Sequence, residues 1–355
     1  MSPSPQSSFA ESHKSPRIVS PLSQILETTE ADGTKIDICK LFAANSFVRN
    51  LNKEDILATQ PNQTEQKGAP SSVQAKSTWN EVESSLADVK KTFGFQPSFI
   101  DNLVDSSIPG AWAEAKSLRF SSDTVLDTKL KGLISLAVAA QIPCDMIRYF
   151  EQAATLGDGA TEQEQHEAVL MSAITRHWST VLNGSQIDKS EFKAELDQCM
   201  AFVRKMMADL KGQMPPEENF RFKPTTATEA YEDIKKTMGL VPKFFLVFPK
   251  EAIAGAWSEF KGLQINPYTA LSGKQKELIG LAVAAQIPCD YCITFHRAAA
   301  VLNEANDREM QEAISLAALT RHWSTIFHGP QIELAAFKKD ADQMLKYSAQ
   351  ARLQS

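Results

Sequence analysis

The chain reads as all-α: two tandem copies of one helical unit, preceded by a low-complexity N-terminal segment. Three observations predict this. Among 355 residues there are only 15 glycines, 17 prolines and 5 tyrosines, so the turn-rich, aromatic-alternating pattern of a β-sandwich or barrel is missing. Apolar residues instead recur at three- and four-residue spacing, the period of a helix with one buried face. The chain also matches itself at a shift of 145 residues: 129–187 and 274–332 align without a gap and agree at 31 of 59 positions.

The elements follow in order, taken from the second copy. Residues 230–238 (AYEDIKKTM) form a short amphipathic helix ending in the turn GLVP, and 244–260 carries aromatic, Ala and Ile positions on one face. A helix at 272–285 opens on Ser272 as its cap, and 288–302 starts at Pro288. The next, 307–327, has at Asp307 and Met310 only half of a capping signal, and a last helix covers 332–347. Upstream, the same shift pairs Gly94, Pro97, Gly110 and Trp112 with Gly239, Pro242, Gly255 and Trp257. The expected organisation is an N-terminal arm at 1–75, a first unit at 76–212 and a second at 213–355. An ordered linker of turns and extended chain, 211–226, joins the units. The arm is rich in Ser, Pro, Gln and Thr and is expected to be mostly disordered, with one helix around 37–51.

Composition limits the partners. A net charge of −6, from 37 basic and 43 acidic residues, offers no basic face for nucleic acid. The longest apolar run, 278–288, is broken by Gln286 and falls far short of the roughly 20 residues of a membrane span. The opening MSPSPQSSFAESHK has no apolar core, so no secretory signal is expected. Five cysteines, of which only Cys289 and Cys292 are close, fit a reducing, cytoplasmic setting with one special pair. Cys39, Cys144 and Cys199 read as small buried hydrophobes.

The duplication serves as an internal control, because features present in one copy only are the candidates for chemistry. The shared LAVAAQIPCD (136–145 and 281–290) reads as a small-residue helix that lets another pack closely. The shared TRHWST (175–180 and 320–325) would look catalytic if seen once; held in both copies, it reads as an interface or a hydrogen-bonded anchor. The differences concentrate at one place: Glu277, Cys289, Cys292 and His296 stand where the first copy has Gly132, Cys144, Ile147 and Glu151. On one helix, 289, 292 and 296 share a face, near an N-terminus whose free N–H groups stabilise a thiolate. His296, one turn beyond Cys292, can take its proton, and Glu277 can orient the imidazole if its helix packs alongside. A zinc reading stays open, with His296 and Glu277 as third and fourth ligands. Ligands three and seven positions apart on a straight helix open too shallow a tetrahedron, which favours dithiol redox chemistry.

A Glu twelve positions before a C-x-x-C and a His four after its second Cys, in an all-α unit, resemble the AhpD-like alkylhydroperoxidase branch of the carboxymuconolactone decarboxylase family. The resemblance covers the second copy and makes the first a degenerate relative. It implies a thiol peroxidase or disulfide reductase serving antioxidant defence: Cys292 as the attacking thiolate, Cys289 as the resolving thiol that closes a disulfide, and His296 with Glu277 as the proton relay. It further implies a hydroperoxide substrate, a dithiol or lipoylated protein as reductant, no flavin or haem, and assembly of the fused units into a trimer. One departure stands out: the family motif has a His before the second Cys, and here that residue is Tyr291, a poor base. Two other readings are a lactone-acid decarboxylase of the same fold, which needs no dithiol, and a non-enzymatic redox sensor that binds a partner.

Overall fold

The computed structural model describes residues 72–353; the helix expected at 37–51, Cys39 and nearly all of the N-terminal arm lie outside them. Fourteen α-helices and no strand are present among the described residues, as the periodicity predicts. In the first repeat these are α1 (Ser72–Phe93), α2 (Ile108–Ala115, running into a π-helical turn at Lys116–Phe120), α3 (Thr128–Gln141), α4 (Asp145–Gly157), α5 (Glu162–Ser185) and α6 (Lys189–Asp209). The linker carries α7 (Glu218–Arg221). In the second repeat follow α8 (Ala227–Met238), α9 (Lys243–Leu246), α10 (Ile253–Glu259, with a π-helical turn at Phe260–Gln264), α11 (Gly273–Gln286), α12 (Asp290–Leu302), α13 (Asp307–His328) and α14 (Leu334–Arg352).

Local chemistry sets these boundaries. Thr161 with Glu164, Thr226 with Glu229 and Ser272 with Gln275 form complete capping boxes at α5, α8 and α11. At α13 the cap lies one residue before Asp307: Asn306 accepts from the amides of Arg308 and Glu309, and Glu309 bonds back to the Asn306 amide. The aromatic stretch at 244–260 is divided into α9 and α10. Pro249, with no N–H to donate, ends the regular hydrogen bonding, and its carbonyl instead accepts from Ala252 and Ile253. The final helix runs on to Arg352, whose guanidinium bonds the Gly157 carbonyl and Asp158 of the first repeat.

Residues Pro70–Ser355 form one compact unit, because the repeats share their cores. At the centre α3, α5, α11 and α13 pack together, mixing Leu133, Ile134 and Met171 of one repeat with Leu278, Ile279 and Leu316 of the other. Ala137 and Ala282, both fully buried, keep α3 and α11 close, as expected of the small-residue block. On either side the C-terminal helices are exchanged. The first repeat's α5 and α6 complete a core with α8 to α12, while the second repeat's α13 and α14 complete one with α1 to α4.

Two buried carboxylates lock the exchange. Glu167 accepts the backbone N–H groups of Ala270 (2.8 Å) and Leu271 (2.9 Å). At the matching position, Glu312 accepts from Thr124 Oγ1 (2.6 Å) and Val125 N (2.9 Å), with Lys131 Nζ at 3.4 Å. Lys131 and Lys276 are both fully buried, donating to the carbonyls of Ser121 and Asn266 at 2.7 Å. Burial pushes the Lys276 ammonium down to about 8, opposed by the charges of Glu167 and Glu277. Removing one carboxylate strands a buried cation and two donors, a loss of about 3–5 kcal/mol. Glu312→Ala is therefore expected to lower urea-unfolding stability by that amount, whereas Asp197→Ala, which breaks an exposed pair with Lys193, costs under about 1 kcal/mol.

Candidate dithiol site

The site begins at the junction of α11 and α12. The chain turns at Pro288, and Cys289, in extended geometry, is the N-cap of α12; its sulfur accepts the Cys292 N–H at 3.3 Å. The proline thus lies one residue ahead of the cap rather than inside the first turn. Both cysteines are free thiols, with Cys289 fully buried and Cys292 4% exposed. Cys289 is held down to about 6, first by the hydrogen bond from the Cys292 thiol, then by Ser179, the Cys292 N–H and Asn183, against the opposing effect of burial. Cys292 is pushed up by donating to Cys289 and by its own burial. The pair therefore holds one negative charge, centred on the cap sulfur.

His296 lies one turn along α12, 3% exposed. Its Nδ1 sits 2.7 Å from Glu277 Oε2, so α11 and α12 pack as the relay reading required. Gln264 Nε2 donates to the other carboxylate oxygen at 3.4 Å. On the far side, His296 Nε2 is 3.3 Å from Thr175 Oγ1, whose own proton goes to the Met171 carbonyl at 2.8 Å. Glu277 thus meets the ring at Nδ1 and Thr175 meets it at Nε2. Gly280 makes it sterically feasible: a Cβ there would stand 2.2 to 2.8 Å from the imidazole ring.

The structure brings together Glu277, Cys289, Cys292 and His296, and adds Thr175 and Ser179, which the sequence reading gave a structural role in TRHWST, and Asn183, which it did not single out. Thr175, Ser179 and Asn183 all come from α5 of the first repeat. Asn183 Nδ2 donates to Cys289 Sγ at 3.4 Å, and Cys292 Sγ lies 3.9 Å from the Thr175 carbonyl. TRHWST is thus an interface, as expected, but in the first copy its Thr and Ser face the dithiol while Arg176 is exposed and His177 stacks on Trp178. The only sequence signal was the helical spacing of 175, 179 and 183. Tyr291 is turned away from the relay: its hydroxyl donates to the Ile187 carbonyl and its ring meets Phe192 edge-on.

The corresponding place in the first repeat has different chemistry. Glu151, where His296 would be, makes two hydrogen bonds to Arg119 (2.9 and 2.6 Å), which occupies the place of Gln264. Gly132 admits this pair, since a Cβ there would lie 2.9 Å from Arg119 and 3.2 Å from Glu151. Cys144 and Cys199 are buried among apolar neighbours. As for the zinc reading, the imidazole and carboxylate it needs are bonded to each other, and among the described residues no three Cys, His, Asp or Glu side chains converge as a metal-binding group.

The model of the carboxymuconolactone decarboxylase family matches the chain twice, at 108–189 and 251–329. No curated protein sequence matches it. Among solved structures, one from Burkholderia xenovorans, named for a gamma-carboxymuconolactone decarboxylase subunit, matches at 17% identity over 73% of this chain and 98% of that chain, with a TM-score of 0.45. At that score the likeness carries no argument about this chain. No helix among the described residues is long and apolar enough to cross a membrane.

The shared charge has a measurable signature. Thiolate absorbance at 240 nm is expected to appear with a midpoint near pH 6, so that it is present at pH 7 and lost as the solution is acidified through 6. Cys289→Ser should abolish this transition, and Asn183→Ala or Ser179→Ala should raise its midpoint.

Proposed function

Because the chain belongs to the carboxymuconolactone decarboxylase family, with one matched region in each repeat, we propose that its second repeat acts as a dithiol oxidoreductase that reduces hydroperoxides. The observation that carries this reading is the juxtaposition of Cys289 and Cys292, the Cys292 N–H meeting the Cys289 sulfur at 3.3 Å, beside an imidazole tied to Glu277 at 2.7 Å. A lactone-acid decarboxylase, the activity for which the family is named, has no need of two thiols sharing one proton.

In the proposed cycle Cys292 attacks. The proton between the sulfurs moves to Cys289 and leaves Cys292 as the thiolate, while the proton the dithiol has given up rests on His296, one helical turn along, where Glu277 stabilises the imidazolium. The Cys292 thiolate displaces the terminal oxygen of the hydroperoxide: an S–O bond forms, the O–O bond breaks, and His296 returns the proton to the departing alkoxide. Cys289, whose proton follows the same route, then attacks the sulfenic sulfur, closing the disulfide and releasing water. The sum is dithiol plus hydroperoxide giving disulfide, alcohol and water. A dithiol donor such as a lipoylated protein restores the pair by exchange, becoming a disulfide itself. The resting charge on Cys289 is the opposite of what attack by Cys292 needs, so the proton between the sulfurs must first move back. Burial of both sulfurs supports a small hydroperoxide as substrate.

Turnover of hydrogen peroxide with a lipoyl donor tests the proposal. Cys292→Ser is expected to abolish it, and His296→Ala to lower kcat/KM by about 10²–10⁴-fold. With Cys289→Ser, a single equivalent of peroxide should leave a sulfenic acid at Cys292 that dimedone traps. Dimedone labelling of Cys289 in a Cys292→Ser protein would instead assign the attack to Cys289. Peroxide that oxidises the pair without supporting turnover would favour the sensor reading, and lactone-acid decarboxylation surviving both substitutions the decarboxylase.

A further inference from the structure

The half of the molecule without the dithiol contains a cavity of about 100 Å³. It lies where the two repeats differ in bulk. Counted by the 145-residue shift, Ala115 stands in the place of Phe260 and Ile100 in the place of Phe245. In the second repeat those two rings fill the space, Phe260 lying 5.8 Å from Trp257, 5.9 Å from Phe245 and 6.3 Å from Trp178. In the first repeat the matching tryptophans, Trp112 and Trp323, line the cavity with Phe99, Phe120 and Phe150; Phe120 packs against Trp112 and Phe150 at 6.3 Å each and fills the space only in part.

The polar groups on the walls narrow the choice of occupant. Arg119 and Glu151 reach the cavity, but their charges are spent on one another through two hydrogen bonds, so an ion gains nothing there. Thr320 also lines it, its hydroxyl proton given to the Leu316 carbonyl at 2.7 Å, which leaves only lone pairs. Ser135, 3% exposed and on the wall, makes no hydrogen bond among the described residues. A serine within a helix ordinarily bonds back to a carbonyl one turn earlier, so this hydroxyl is left to meet a ligand in the cavity. A dry apolar cavity of roughly 150 Å³ takes up benzene, so the space here, about 100 Å³, admits one ring at most.

The geometry points to a binding site, in the first repeat, for a neutral single-ring molecule bearing one hydroxyl or carbonyl, the ring in the place of the missing Phe and the polar group on Ser135. It is independent of the dithiol chemistry and does not require it. The degenerate repeat is on this reading a ligand-binding module joined to the redox one through α5 and α13.

Calorimetric titration of the full chain with phenol and with toluene tests this. Wild type should bind phenol saturably at one site per chain, and Ala115→Phe, which restores the ring found in the second repeat, should weaken binding at least tenfold. Ser135→Ala should weaken phenol by about 2- to 10-fold, the worth of one hydrogen bond, and leave toluene unchanged. Should Ala115→Phe fail to fold, Ala115→Leu fills part of the same space and is expected to weaken both ligands. Phenol that does not saturate the wild type, that binds Ala115→Phe as well as wild type, or that loses no more than toluene in Ser135→Ala overturns the proposal.

Discussion

Helix α5 leaves the repeat that encodes it and buries itself against the other. Its apolar face supplies Ile174, Trp178 and Leu182 to the core around α8 to α12, and α13 does the same in return with Phe327 for the core around α1 to α4. Neither copy closes a core alone, so the duplicated unit is stable only as an exchanged pair. The exchange is held by more than apolar area. Glu167 and Glu312 each satisfy backbone donors of the opposite repeat inside the protein, where an unmade hydrogen bond is expensive. Such a lock is specific in register, because a shift of one residue along either loop would strand both the carboxylate and the amides.

The dithiol site inherits this dependence. The sulfurs and the imidazole come from α12 and the carboxylate from α11, but the groups that fix the charge come from α5. Asn183 and Ser179 help to hold the proton deficit on Cys289, and Thr175 positions the outer nitrogen of His296. The first repeat, with Ile147 where a second cysteine would stand, therefore still supplies side chains to the dithiol. The two halves have diverged by a small exchange on one helix face. The second repeat has Glu277 and Gly280 where the first has Gly132 and Ser135. Each glycine admits the bulky polar group of its own half, His296 in one and the Arg119–Glu151 pair in the other.

Much of this was legible in the residues. The capping Ser272 of α11, the three- and four-residue spacing and the 145-residue repeat foretell the helices and their order, since these are local properties. The association of Glu277, Cys289, Cys292 and His296 was legible because three of the four, Glu277, Cys292 and His296, have no equivalent in the first copy. Where local reading erred, the cause was local too: Pro249 divides a stretch whose aromatic spacing suggests one helix, and Asn306 outcompetes Asp307 as a cap because its side chain reaches two amides.

By itself the sequence determined the helices, the duplication and the three residues, Glu277, Cys292 and His296, that differ in a chemically coherent way. Only the tertiary structure decided which copy's α5 lies on the dithiol. A shared motif such as TRHWST is the same string in both repeats, and whether its Thr and Ser meet thiols or a cavity depends on which core the helix enters. Nor could composition show the missing volume beside Ala115, because a hollow is a property of what surrounds a residue. The physical reason is common to both: periodicity and capping act within a few residues, whereas charge sharing and packing are settled between segments more than a hundred residues apart.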